Sequence, residues 1–68
     1  MFTQQNNILD INTAASIALQ TVPGSIVELE LDNFHGRPVY EVEILSVYGK
    51  YEIIIDAFTG AVLRIELD

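Results

Sequence analysis

The chain has 68 residues, half of them hydrophobic, and a formal net charge of −7. A chain of this length forms one small domain with a limited core, and its apolar content is too high for a disordered tail. Nucleic acid is excluded as a partner, because binding to a phosphate backbone relies on Lys and Arg and this chain has three in all. No cofactor is indicated, since the chain has no cysteine and a single histidine.

The first ten residues carry no targeting or membrane signal. They lack the basic start and apolar stretch of a signal peptide, and the longest apolar run is far below the ~20 residues that span a bilayer. We therefore expect no membrane contact by this segment, and its composition leaves the compartment open. Residues 1–10 are predicted to be a loose lead-in to a single domain over 11–68.

A short helix is predicted next. Asn12 is a candidate N-cap, because its side chain can accept from the free amides of the first turn, and residues 13–21 contain good helix formers. Val22-Pro23-Gly24 then ends the helix, since proline cannot continue the hydrogen-bond ladder. One apolar face, with Ile17 to one side, is predicted to comprise Ile11, Ala14, Ala15, Ala18, Leu19 and Val22.

Four strands are predicted in the remaining chain, where apolar and charged residues alternate between turn-forming segments. A three-residue loop over 58–60 would pair Ile55 with Leu63 and Ile53 with Ile65, with Gly60 in the left-handed region. The predicted fold class is α+β: one N-terminal helix packed on a four-stranded antiparallel meander sheet. The predicted strands are 26–32, 38–45, 50–56 and 61–67, with four-residue connections at 34–37 and 46–49.

The alternation predicts an apolar inward face, for which one amphipathic helix is about the right cover. The predicted inward residues are Val27, Leu29, Leu31, Tyr40, Val42, Ile44, Tyr51, Ile53, Ile55, Leu63, Ile65 and Leu67. The predicted outward acids are Glu28, Glu30, Asp32, Glu41, Glu43, Glu52, Asp56, Glu66 and Asp68.

Four of these acids form a row across the predicted sheet: Glu28, Glu43, Glu52 and Glu66. Like charges directly opposite one another on neighbouring strands are destabilising. Two interpretations of the row remain open. It is either a surface for a basic partner or a weak oxygen-ligand cation such as calcium, or a solvated face whose glutamates splay apart. No metal site is assigned.

Apolar residues also fall at outward positions, and Val39, Ile54 and Val62 are expected to lie close together there, with Ile26 and Leu45 further away. They are predicted either to form a contact patch for a partner or a second copy, or to be covered by the stems of Arg64 and Lys50. The exposed first and last strand edges offer another route to pairing, so a homodimer is one expectation.

No catalytic residue is predicted. His35 lies in a polar turn without a second histidine or a serine and carboxylate at a known spacing, and Ser16, Ser25 and Ser46 lack a nearby base. We therefore expect a protein that is not an enzyme.

Four segments in this order together resemble the PepSY domain family over about residues 11–68. They are the helix end VPG at 22–24, the strand VELE at 27–30, GRPVYEVE at 36–43 and IDAFTGAVL at 55–63. The resemblance implies a helix packed on an antiparallel sheet, in a module found in propeptides of thermolysin-like metallopeptidases and in bacterial envelope or secreted proteins.

The resemblance implies a non-catalytic protein-binding module that inhibits or modulates a peptidase and is extracytoplasmic. The family has no catalytic residues to carry over, and Tyr40, Asp56, Thr59 and Gly60 match its motif positions in structural roles. A propeptide role would need an attached peptidase domain, which 68 residues cannot contain. The alternative is a structural or sensory interaction domain of an envelope protein, dimerised or repeated through its sheet.

Overall fold

The computed structural model describes residues 7–68 as a helix followed by a four-stranded antiparallel sheet in the order β1-β2-β3-β4, which confirms the predicted fold class. The first six residues of the predicted lead-in lie outside this range. The elements are α1 (Ile11–Thr21), β1 (Ser25–Phe34), β2 (Arg37–Ser46), β3 (Gly49–Asp56) and β4 (Val62–Leu67).

The helix begins two residues earlier than the sequence indicated. Asp10, not Asn12, is the N-cap: its backbone is extended and its Oδ1 accepts from the Thr13 N–H at 2.9 Å. That hydrogen bond holds the pKa of Asp10 below its usual range. Either side chain has the right chemistry for a cap, so the choice depends on where the chain turns to meet the sheet.

The core lies between α1 and the two central strands. Ala14 and Ala18 of the helix are fully buried, and Ile17 packs beside them, so the contact face is rotated toward Ile17 and leaves Ile11 half-exposed. The buried residues under the helix are Tyr40, Val42, Ile44, Ile53 and Ile55 on the sheet, and Ala57 directly after β3. Two alanines at the contact let the helix approach the sheet closely.

The segment before the helix also packs against the core. Ile8 and Leu9 are partly buried there, and the Leu9 N–H donates to the Ala57 carbonyl at 2.8 Å. The Tyr40 hydroxyl in turn donates to the Leu9 carbonyl at 2.6 Å. Tyr40 therefore ties the start of the described chain to the central strand β2.

A bulge in β1 changes two of the predicted orientations. Ile26 pairs with Ile44 and Glu28 pairs with Glu43, so Val27 is an extra residue on β1. Ile26 consequently packs against the core although it was expected to point outward, and Val27, expected inward, is exposed.

The β3–β4 loop is one residue longer than predicted. Gly60 N–H donates to the Asp56 carbonyl and Asp56 N–H donates to the Ala61 carbonyl, both at 2.8 Å, which places 57–60 in the loop. A bulge then pairs Ile55 with Val62, so the predicted pairing of Ile55 with Leu63 is wrong. The bulge absorbs the extra residue, and the predicted pairing of Ile53 with Ile65 is confirmed.

The other two connections are tighter than the predicted four residues. Phe34 pairs with Arg37 and Ser46 pairs with Gly49, which leaves two-residue turns at 35–36 and 47–48. In the first turn His35 and Gly36 both have positive φ, at 53° and 82°, as a type I′ hairpin requires. The handedness of such turns matches the twist of the strands they join.

One helix does not cover the whole inward face. α1 contacts β1, β2 and β3 but not β4, and Leu63, Ile65 and Leu67 remain about half-exposed. A helix is roughly 10 Å wide, whereas four strands at about 4.8 Å spacing form a wider surface. The expectation that a single helix would suffice is therefore wrong at the β4 side, and Leu31 on β1 is exposed as well.

Candidate functional site

The predicted row of four glutamates exists in the sheet. Glu28 pairs with Glu43, Glu43 with Glu52, and Glu52 with Glu66, so one carboxylate from each strand lies in line. Neighbouring strands are about 5 Å apart, which keeps these side chains within Coulombic reach of one another. That the row binds a partner stays a prediction.

A second acidic line runs beside the first. Glu30 pairs with Glu41 in the sheet. The charge of Glu28, followed by partial desolvation, raises the pKa of Glu30. Desolvation, followed by a hydrogen bond and repulsion from Asp32, raises the pKa of Glu41. Repulsion between carboxylates is therefore the main cause at Glu30, whereas at Glu41 it comes after the loss of solvent.

The cations on the acidic face compensate only part of its charge. Lys50 Nζ lies 3.6 Å from Glu43 Oε1 and 4.0 Å from Asp68 Oδ2, and Arg64 Nη2 lies 3.2 Å from Glu66 Oε2. Within residues 7–68, no group of three acidic or histidine side chains is arranged to hold a metal ion. The calcium interpretation of the row therefore gains no support from its geometry.

The apolar patch expected on the acidic face is not exposed. Val39 is fully buried and Ile54 is 4% exposed, so neither presents a surface to a partner. Both lie on the central strands, where neighbours flank them on each side: Ile54 is paired with Glu41 and Arg64. Val62 is partly exposed but pairs with Ile55 through the β4 bulge, away from the other two.

Asp56 organises the turn after β3 and is not part of the open acidic surface. Its side chain is nearly buried, and Oδ1 accepts from the Phe58 and Thr59 N–H groups at 2.8 and 3.0 Å. Those two hydrogen bonds, with Arg37 Nε at 3.4 Å from Oδ2, lower the pKa of Asp56. The structural role predicted for Asp56 is thereby confirmed, as is the left-handed Gly60 with φ of 81°.

The most exposed apolar residues within 7–68 were not predicted from the sequence. Val47 and Tyr48, in the β2–β3 turn, are 92% and 79% exposed. They border a groove of about 850 Å³ between the end of α1, this turn and β4. Its lining also includes Val22, Tyr51 and Ile65. Two apolar residues in a two-residue turn, where polar residues are usual, were the available signal.

Residues 8–66 match the family described as "Peptidase propeptide and YPEB domain", called PepSY. The chain belongs to the PepSY family. PepSY domains are propeptide and regulatory modules that are generally non-catalytic and interact with proteins, which agrees with the resemblance found in the sequence.

A solved structure with the same fold comes from Clostridium difficile and is described as that of "a putative lipoprotein". It is 30% identical to the present chain and superposes with a TM-score of 0.85 over 93% of it. The match covers 41% of the Clostridium protein, so this PepSY chain spans about two fifths of its length. A search of curated proteins found no match.

None of the helical segments within residues 7–68 has the length and apolar character needed to cross a membrane.

Proposed function

We propose that this PepSY domain is a non-catalytic protein-binding module that inhibits or modulates a peptidase. The observation that carries the proposal is the family match over residues 8–66, since this family is named for peptidase propeptides. Such a module acts by occupying a surface of the enzyme and needs no reactive group of its own.

The exposed β2–β3 turn supplies the contact surface in this proposal. Val47 and Tyr48 project from the end of the sheet, and a tyrosine offers a large apolar area together with a hydroxyl at a small entropic cost. The adjoining groove adds apolar wall from Tyr51 and Ile65. Exposed apolar groups of this kind are a common basis of protein binding.

The acidic row is the second part of the proposed surface. Glu28, Glu43, Glu52 and Glu66 would attract a basic region of the enzyme and accelerate association at low salt. The two parts predict different kinetics. Loss of Tyr48 should raise the dissociation rate, whereas neutralising Glu52 should lower the association rate and its dependence on salt.

The test is to add the folded domain to a thermolysin-like peptidase and follow hydrolysis of a short fluorogenic peptide. We expect the rate to fall in a saturable manner as the domain is added. A rate that is unchanged at a large molar excess would refute the proposal, provided that mass spectrometry shows the domain intact during the assay.

Two variants make the test specific. Val47→Ser combined with Tyr48→Ser should weaken inhibition, while Phe58→Ser, in the β3–β4 loop, changes an exposed aromatic residue away from the proposed surface. A Gly60→Val variant, destabilised at its left-handed glycine, controls for simple competition by an unfolded chain acting as substrate.

We further propose that the domain functions outside the cytoplasm. The description of the Clostridium protein as a lipoprotein and the association of the family with the cell envelope support this location. Fusing the complete natural gene to a reporter that is active only after export tests it. A reporter that stays inactive would contradict it.

A further inference from the structure

Strand β4 forms one edge of the sheet, and α1 leaves it uncovered. All six of its residues are exposed, with Ile65 and Leu67 on the helix side and Arg64 and Glu66 on the acidic side. An edge strand carries backbone N–H and C=O groups that have no neighbouring strand. Such an edge can add a further strand by backbone hydrogen bonding.

The hydrogen-bond pattern shows which of these backbone groups face away from β3. The Asp68 N–H donates to the Lys50 carbonyl at 2.9 Å, so these two residues form a hydrogen-bonded pair of the antiparallel ladder. Hydrogen-bonded and non-hydrogen-bonded pairs alternate along such a ladder. The backbone groups of Glu66 and Arg64 therefore face β3, and those of Ile65 and Leu67 face away from it.

The side chains of this strand are arranged symmetrically about Ile65. Residues 63–67 read Leu-Arg-Ile-Glu-Leu, with apolar residues at the centre and both ends and opposite charges on either side of the centre. An antiparallel copy centred on Ile65 would place Arg64 opposite Glu66, and Leu67 opposite Leu63, the residue that the β4 bulge leaves without a partner on β3. Both charges lie on the acidic face, and the apolar residues lie on the helix face.

We propose that β4 pairs in antiparallel fashion with β4 of a second copy of this chain, about a two-fold axis at Ile65. The outward N–H and C=O of Ile65 in each copy form two hydrogen bonds across the axis. Both sheets then join into one continuous sheet. This inference does not depend on the proposed peptidase target. It would make the domain a module that assembles through its sheet.

The same pairing gives the last glutamate of the acidic row a partner of opposite charge. The row runs from Glu28 across the sheet to Glu66 at the open edge. In the paired sheet the next residue in line is Arg64 of the second copy. Opposite charges on facing strands stabilise the pairing, and each dimer contains two such contacts. Arg64 and Glu66, which lie 3.2 Å apart within one chain, would thus also be shared between chains.

The other edge of the sheet is unsuited to the same pairing. β1 carries Glu28, Glu30 and Asp32 on the acidic face, so two copies paired there would place acids opposite acids. A bulge interrupts each edge strand, at Val27 in β1 and at Leu63 in β4, and the bulge in β4 leaves the charged positions 64 and 66 in regular pairing. Charge complementarity therefore selects β4 over β1.

Sedimentation equilibrium of the full chain, from about 10 µM to about 1 mM, tests the proposal. We expect a monomer–dimer equilibrium for the natural sequence. Arg64→Glu and Glu66→Arg each place like charges at both contacts, so each variant alone should dimerise at least about tenfold more weakly. An equimolar mixture of the two restores opposite charges at both contacts and should form a heterodimer.

Lys50→Glu is the matched control, because it changes the net charge as Arg64→Glu does but lies on β3. It should leave the dimer constant within about twofold of the natural sequence. Far-ultraviolet circular dichroism verifies that each variant is folded. A second readout needs no variant: the Ile65 and Leu67 amides should become protected from hydrogen exchange as the protein concentration rises.

Three results would overturn the proposal. The natural sequence could sediment as a monomer up to about 1 mM. The two single variants could associate as tightly as the natural sequence, which would place the contact elsewhere. The mixture of variants could remain monomeric, which would show that these charges do not face each other.

Discussion

Replacing Gly60 with alanine should destabilise the domain more than the same replacement at Gly36. The two glycines have nearly the same φ, 81° and 82°, so we take the conformational cost of a side chain in this left-handed region, about 1–2 kcal/mol, as equal at both. Their surroundings differ. A Cβ at Gly60 would lie 3.1 Å from Ile17 Cδ1 and 3.2 Å from Leu9 Cδ1, whereas a Cβ at Gly36 would have no neighbour within 4 Å among residues 7–68.

The crowding at Gly60 should add about 1 kcal/mol, the lower end of the cost of overpacking, because the ends of two side chains can shift slightly. We therefore expect Gly60→Ala to lower the free energy of unfolding by about 2–3 kcal/mol and Gly36→Ala by about 1–2 kcal/mol. The reduced freedom of the unfolded chain is common to both and cancels in the comparison. Urea denaturation followed by circular dichroism measures the difference.

A double-mutant cycle tests whether contact with Ile17 causes the extra cost at Gly60. Ile17→Val removes the Cδ1 methyl that the new side chain would meet, so part of the excess cost of Gly60→Ala should vanish in the Ile17→Val background. Gly36→Ala should be unaffected by that background. If Gly36→Ala costs as much as Gly60→Ala, or if the cycle is additive, the packing of Leu9 and Ile17 against this turn is not what the structure indicates.

Three further predictions concern the charged groups. Asp56→Ala should lower the melting temperature by about 5 °C or more because the Phe58 and Thr59 amides lose a charged acceptor, and Asp56→Asn should lower it less; equal effects would contradict this. Sodium chloride should raise the melting temperature by screening repulsion on the acidic face, and a flat or falling response would count against the row of glutamates. Stability should rise as the pH falls from 7 toward about 4.5, since the raised pKa values of Glu30 and Glu41 mean that the folded state binds protons more readily there. Below about pH 4 the stability should fall, because the folded state gives up its proton-free Asp56 as the lowered pKa of that group is approached. A urea midpoint that falls steadily between pH 7 and about 4.5 would contradict the raised pKa values of the two glutamates.

The sequence was sufficient for the element order and for the register of the central strands. On β2 the apolar residues Tyr40, Val42 and Ile44 alternate with two glutamates, and a shift by one residue would expose this entire apolar set. That penalty made the row from Glu28 to Glu66 predictable before any coordinates. The positive φ of Gly60 was predictable for a similar reason, because a tight turn needs a residue without a side chain there.

The bulges could not be predicted, because both occur where adjacent residues are apolar. Val27 follows Ile26, and Leu63 follows Val62, so either member of each pair can face the core without breaking the pattern. The burial of Val39 and Ile54 could not be predicted either. Alternation assigns a residue to a face, whereas its exposure depends on the neighbours that flank it on adjacent strands.

The hydrogen bond between Leu9 and Ala57 has a consequence for how the chain folds. Each strand pairs with its neighbour in sequence, so the three hairpins can form through short loops at a small entropic cost. Leu9 and Ala57, by contrast, are far apart in the chain, and their contact requires the helix and the sheet to be in place. Docking of α1 should therefore follow the hairpins along the folding path, and variants at Leu9 should mainly accelerate unfolding and leave the refolding rate nearly unchanged.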